Sequence, residues 1–310
     1  MPMLSLDEQR AVDQLADYFR DRKTRPGVLA RRILKMPAAE DAVLVEHLVG
    51  ERRRHSRMDG STDGSLVLTA WTTWELLQLD TPPDHAVVVR SVGYLIQRQE
   101  QPGRYWGEGC DPGRHERKQC QHFLGGFFSA ATADQLIAPL RIPSAGPEIA
   151  DEPGARFAAS CFALRSVLRA GEDRRAGVRR HLVSLAELPG LWSDWGRGGF
   201  WTGDLALFAI GALAFAPLDL RDRMREALTH VLRHQGVDGD WPGASPFHAV
   251  AMLLSAPTAE ARDAVTRTAP VLWAALESEG LGEGAEAEER ALIALRALTT
   301  RRDRKGVRGR

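Results

Sequence analysis

The phrase Gln235-Gly236-Val237-Asp238-Gly239-Asp240-Trp241 closes one helical stretch, and looser copies of it recur along the chain. Gln99-Glu100-Gln101-Pro102-Gly103-Arg104-Tyr105 keeps the glutamine, the glycine and an aromatic, whereas Ala186-Glu187-Leu188-Pro189-Gly190-Leu191-Trp192 keeps only the last two. Fainter echoes centre on Gly60, Gly146 and Gly282. In order, the six glycines stand 43, 43, 44, 49 and 43 residues apart. A period in this range marks a repeat architecture whose neighbouring units share one core. The 310 residues therefore read as one large domain rather than two.

Strand signals are nearly absent and helical periodicity is frequent. Ser5 and Glu8 have capping-box spacing, with Val12, Leu15, Ala16 and Phe19 as the apolar stripe behind them. Further helices are expected over residues 26–35 and 37–53. A paired pattern follows: 65–79 with 84–99, 120–131 with a short 133–140, 155–169 with 174–188, 201–215 with 220–234, and 246–255 with 258–277, before a closing 290–300. In each pair the first member is richer in small and apolar residues, and the second in Arg and Glu. A helix apolar all round is buried, and an amphipathic one faces water. Six glycine turns, each feeding an inner and then an outer helix, describe an all-α (α/α)6 toroid. Residues 1–55 are expected to pack on the ring as N-terminal helices, 56–300 to form it, and 301–310 to be a basic disordered tail. Within the phrase, glycine supplies a left-handed cap. The glutamine is expected to bond the free amides that open the next inner helix, with the aromatic packed on it.

Bulk chemistry excludes several function classes. With 41 basic and 41 acidic residues there is no electrostatic case for nucleic acid. Three cysteines argue against a disulfide framework and for a reducing, cytoplasmic setting. Asp7, Glu8 and Asp13 stand where a signal peptide would need an apolar core. The longest apolar run, residues 205–217, falls short of the roughly 20 residues of a membrane span.

The two best phrases, with the period, resemble the glutamine–tryptophan repeats of the terpenoid cyclase and protein prenyltransferase β-subunit superfamily. The likeness covers roughly residues 58–289. It implies an active site in the central cavity, where inner helices begin, just after each glycine turn. The Asp-x-Asp-Asp motif of squalene-hopene-type cyclases is missing, and so is the Asp-Asp-x-x-Asp magnesium motif. In the prenyltransferase β-subunits, zinc is held by aspartate, cysteine and histidine at successive inner-helix starts. His248 matches that histidine, and Asp204 stands about where the cysteine would be. Arg197, between Gly196 and Gly198, resembles a diphosphate-binding arginine.

Read for themselves, Asp63, Asp204 and His248 share an expected place at the cavity mouth and are candidate acid–base groups. Trp71, Trp74, Phe200, Trp201 and Phe247 are candidate cavity-lining residues, with Arg197 a candidate anchor for substrate. Cys110, His115, Cys120 and His122 put four borderline ligands within thirteen positions, a candidate zinc site. Lanthipeptide cyclases, also α/α toroids with zinc on two cysteines and a histidine, are loosely similar at Cys120-Gln121-His122. The leading expectation is a terpenoid-cyclase-like enzyme performing acid–base or metal-assisted cyclisation or isomerisation on an apolar, isoprenoid-type small molecule. The alternatives are a zinc-dependent transferase or lyase on a thiol, peptide or other substrate, and a non-catalytic toroid that binds a ligand or partner.

Overall fold

The computed structural model describes residues 5–98, 136–142, 146–187 and 202–300. Among them are twelve α-helices: α1 (Leu6–Phe19), α2 (Arg25–Leu34), α3 (Asp41–His55), α4 (Leu66–Gln78), α5 (Ala86–Gln97), α6 (Glu152–Arg169), α7 (Ala176–Ala186), α8 (Gly203–Leu213), α9 (Arg221–Leu232), α10 (Pro246–Leu253), α11 (Ala259–Glu279) and α12 (Ala285–Thr300). The described residues hold no strand, only isolated bridges such as Leu140 with Ile149. No helix among them is long and apolar enough to cross a membrane.

Side-chain caps open several of these helices. The Ser5–Glu8 capping box forms in both directions, at 3.1 and 2.8 Å. Thr24, Ser65, Asp151, Thr202 and Ser245 each accept from a backbone amide three residues on, so α2, α4, α6, α8 and α10 all open on a side-chain cap. Val12, Leu15 and Phe19 are buried in α1 as expected; Ala11 joins them and Ala16 is only half-buried. The third helix begins at Asp41 rather than at Pro37. Asp41 is held by Arg31, whose Nε lies 3.1 Å from Oδ1, and its Oδ2 accepts the Ala38 amide at 3.0 Å.

The even-numbered helices pack on one another in order: α4 on α6, α6 on α8, α8 on α10, α10 on α12, and α12 on α2. All eleven residues of α8 are buried. By contrast, α9 buries only Met224, Ala227, Leu228 and Val231, one stripe of an amphipathic helix. Helices α5, α9 and α11 lie against α4, α8 and α10, while α1 packs on both α2 and α12. Arg25, at the start of α2, ties the two ends of this order together. It bonds Glu75 of α4 at 3.2 Å and pairs with Glu289 of α12, while Arg52 holds the other Glu75 oxygen at 2.6 Å.

The short helix expected over 133–140 does not form where the chain is described. Residues 136–142 are non-helical, and Leu140 exchanges two 2.9 Å backbone bonds with Ile149. Pro139 lacks an amide and disfavours a helical residue before it. Glu152 captures the Ile137 and Ala138 amides at 2.9 and 2.8 Å, so they are spent on a carboxylate instead of a helix. The partner helix expected over 120–131 lies outside the described residues, and α4 packs directly on α6.

The glycine phrase proves to be a joint with the helix after next. Gln235 does not bond the amides that open α10. Its Nε2 donates to the Ala264 carbonyl and Thr268 Oγ1, both at 2.9 Å, in the middle of α11. Trp241 Nε1 donates to the same Thr268 hydroxyl at 3.0 Å, and that hydroxyl lies 3.0 Å from the Gly239 carbonyl. Gly239 has φ +90°, and a Cβ there would sit 2.2 Å from the Arg267 carbonyl oxygen. The faint echo at Gly60 is built the same way. Its φ is +88°, and a Cβ would meet the Arg90 carbonyl oxygen of α5 at 2.3 Å. Matching backbone bonds brace the two turns, Arg57 to Ser61 at 2.8 Å and Gly236 to Asp240 at 2.9 Å. Asp59 and Asp238 each accept the amide two residues on. Gly146 and Gly282 are not copies of this joint. Gly146 faces His248 and Phe208, and Gly282 faces Ala287. Gly103 and Gly190 lie outside the described residues.

This joint makes a graded expectation. Gly171 has φ +88° but no atom within 4 Å of an added Cβ. Gly171→Ala should cost only the left-handed strain, about 1–2 kcal/mol. Gly239→Ala adds a collision with backbone and should lose a further 1–3 kcal/mol or so. Urea denaturation of the two variants checks this, and equal losses would contradict the joint.

Candidate active site

Helix α8 runs Gly203-Asp204-Leu205-Ala206-Leu207-Phe208-Ala209-Ile210-Gly211-Ala212-Leu213, with one ionisable side chain. That side chain, Asp204, stands in the first turn, where the helix dipole favours a negative charge. Thr202 caps the helix by accepting the Leu205 amide at 3.3 Å. The Asp204 side chain is only 13% exposed, so its carboxylate must find donors within the protein. It finds two at the start of α10: the Ser245 amide at 3.3 Å and His248 Nδ1 at 2.7 Å, both on Oδ1.

The α10 start is preset for this contact. Ser245 is the cap, Pro246 occupies the first turn where its missing amide is harmless, and His248 donates its own amide to Ser245 Oγ at 3.4 Å. His248 is completely buried. Phe208, one turn beyond Asp204, packs its ring on the imidazole with centroids 4.3 Å apart. Gly146 covers the imidazole closely: a Cβ there would lie 3.7 Å from the His248 ring and 3.8 Å from Phe208.

An ionised carboxylate only accepts, so beside one Nδ1–H donates to Asp204, and the neutral tautomer of that ring carries a lone pair on Nε2. His248 Nε2 is buried and has no hydrogen-bond partner among the described residues. Leaving such an atom unpaired costs about 1–3 kcal/mol, and native structures rarely tolerate that without a reason. A carboxylate-oriented imidazole with one bare nitrogen can take or give a proton at that nitrogen, or ligate a metal through it.

The other expected site residues fall differently. Asp63 is not joined to the pair. It sits at φ +52°, its side chain is 55% exposed, and its ionic contact is with His55 at 3.6 Å. Trp71, Trp74 and Phe247 are buried, but each ring faces an arginine of the protein itself. The Arg25 guanidinium lies 5.4 Å from the Trp71 centroid, Arg165 3.8 Å from Trp74, and Arg290 4.4 Å from Phe247. Trp71 also stacks on Phe162 at 5.8 Å. Arg197, Phe200, Trp201, Cys110, His115, Cys120 and His122 lie outside the described residues. Among those described, no group of three His, Cys, Asp or Glu side chains could hold a metal ion. Asp204 Oδ1 is taken by Nδ1 and the Ser245 amide, so the pair by itself falls short of the four ligands of a zinc site.

Sequence reasoning missed Phe208, Gly146 and the arginines at the aromatic faces. Arg165 carries a readable signal, a lone charge within the apolar run Phe162-Ala163-Leu164-Arg165-Ser166-Val167-Leu168. Gly146 carries none, because it reaches His248 from about a hundred residues away. The chain matches no known family model and no curated protein.

Two outcomes follow. Asp204→Ala removes the acceptor that buried His248 Nδ1 meets, and should destabilise by roughly 1–3 kcal/mol. Asp204→Asn keeps an acceptor and should cost clearly less in chemical denaturation; equal losses would contradict the assigned bonds. A second buried imidazole, His181 of α7, behaves differently: burial first, and Arg180 second, push its pKa down to about 3 from an ordinary 6.5. The unfolded chain takes up a proton there below pH 6.5 that the folded one refuses, so its contribution is whole above pH 6.5 and is lost towards pH 3. Stability measured against pH should fall less steeply below 6.5 in His181→Gln than in the unaltered protein.

Proposed function

We propose that this chain is an enzyme of (α/α)6 toroid architecture that moves a proton at His248 on an apolar small molecule, in a terpenoid-cyclase-like cyclisation or isomerisation. The observation that carries the reading is the buried Asp204–His248 pair with its bare Nε2. Asp204 is the positioning residue, holding the ring orientation and its tautomer. His248 is the group that meets the substrate, as base when neutral and as acid once protonated. Phe208, with the walls of α8 and α10, keeps bulk water from that nitrogen and lets a carbon acid or alkene compete for it.

The toroid reading draws on the order of packing, in which α4, α6, α8, α10, α12 and α2 follow one another and Arg25 links last to first. It draws also on the joint shared by Gly60 and Gly239. In such a ring the starts of α8 and α10 are neighbours on one rim, and an acid there can serve a molecule lying along the axis. A zinc-dependent reading has one observation in its favour: metal-binding histidines are commonly oriented by a carboxylate on their other ring nitrogen.

The experiment is a product survey. The purified full chain is incubated with linear isoprenoid hydrocarbons and prenyl diphosphates, and new cyclic or isomerised products are sought by mass spectrometry. Loss of a proton-transfer group costs about 10²–10⁴ in rate, so His248→Gln should lower turnover by that factor with its fold intact. Turnover unchanged in His248→Gln would refute the role assigned to His248. Stoichiometric zinc in the untagged protein, lost in the same variant, would favour the metal reading instead.

A further inference from the structure

Helix α3 is held by charges at its two ends and by half-buried contacts between them. Of its fifteen residues, Asp41 alone is buried. Val43 is 68% exposed, and Leu44, Val45, Leu48 and Val49 are half-buried. Amphipathic α9, by contrast, sinks Met224, Ala227, Leu228 and Val231 into the core. At its start α3 is tied by Asp41 to Arg31 of α2, whose Nε lies 3.1 Å from Oδ1. Near its end Arg52 Nη2 lies 2.6 Å from Glu75 Oε2 of α4. Gly50 stands within the helix, and a Cβ there would meet no neighbouring atom within 4 Å. No contact demands that glycine, and it weakens a helix interior relative to alanine.

The turn that follows α3 is also the looser of the two matched joints. The bracing bonds Arg57–Ser61 and Gly236–Asp240 place Ser56 at the position of Gln235. The carbonyls of Arg90 and Arg267, pressed on Gly60 and Gly239, place Ser91 at the position of Thr268. Around Gly239 these positions are bonded. Gln235 Nε2 and Trp241 Nε1 both donate to Thr268 Oγ1, and Arg267 Nε donates to Gln235 Oε1 at 3.0 Å. Around Gly60 the Ser56 and Ser91 hydroxyls are buried with no hydrogen-bond partner among the described residues. Tyr94 Oη of α5 reaches the Gly64 carbonyl only at 3.5 Å, a long bond. Buried hydroxyls without partners favour opening, because water satisfies both.

We propose that α3 and the Gly60 turn form a strap that lifts off α2 and α5 as one unit while the other helices stay folded, with Arg52–Glu75 as its latch. Glu75 tolerates the release, because Arg25 keeps its other oxygen at 3.2 Å and stays paired with Glu289. The apolar contact given up is that of Leu44, Val45, Leu48 and Val49, which is half-buried already. Openings of this kind belong to the least buried parts of a fold. A lone helix of this length is marginal in water, so α3 frays once lifted and its amides exchange with solvent. The strap is independent of the role assigned to His248.

Hydrogen exchange of the full chain, read by mass spectrometry at neutral pH, tests this with α9 and the Gly239 turn as the matched control. Amides over 44–60 are expected to exchange faster than those over 224–239, through an opening that leaves the other helices protected. Arg52→Gln removes a charged hydrogen bond and should speed exchange over 44–60 roughly tenfold or more, with 224–239 unchanged. Gly50→Ala should slow exchange over 44–60 about four- to fivefold, again with 224–239 unchanged. Exchange over 44–60 no faster than over 224–239 would overturn the strap. So would an Arg52→Gln variant that speeds both stretches equally, since the ion pair would then serve global stability. A Gly50→Ala variant that leaves 44–60 unchanged, or slows both stretches alike, would overturn it as well.

Discussion

Helix α8 has no side that faces water, and its one carboxylate stands at its start. A buried carboxylate has to be answered by donors, and the nearest backbone able to answer is the opening turn of α10. Asp204 therefore acts first as a clamp, drawing the Ser245 amide and the His248 ring onto one oxygen. The clamp sets where α10 begins relative to α8, and so helps to set how the two helices pack. It also decides which imidazole nitrogen carries the proton. The chemistry proposed for His248 is a consequence of how α8 is buried.

The glycine phrase shows how sequence and structure diverge on partners while agreeing on period. Gly60 and Gly239 are identical joints, although only the second carries the glutamine and the tryptophan. What they share is invisible in a seven-residue window: the carbonyl of Arg90 or Arg267, a full helix further on, pressing where a side chain would be. Gln235 and Trp241 thicken the joint through Thr268 of α11, a contact that local capping rules do not foresee. Caps such as Ser5 with Glu8 were legible because both partners lie within one turn. The echo at Gly146 was legible as spacing alone. Its actual neighbour, His248, is set by tertiary packing.

For the candidate site, the sequence placed Asp204 and His248 together because both follow a turn into an apolar helix. The aromatics expected to line a cavity face cations of the protein. Trp71, Trp74 and Phe247 already hold guanidiniums, so their quadrupoles stabilise the protein's own cations. The imidazole–carboxylate pair stands at the starts of α8 and α10, and Arg165 stands on Trp74 where α6 meets the end of α10.

Everything proposed for His248 depends on a ring that turns Nδ1 to Asp204 and leaves Nε2 bare. Long-range proton–nitrogen NMR of the histidine rings, assigned through His248→Gln, reads that tautomer. A protonated Nδ1 and a pyridine-like, unprotonated Nε2 are expected. A ring protonated on both nitrogens, or carrying its proton on Nε2 alone, would contradict this and leave Asp204 and His248 as a structural pair.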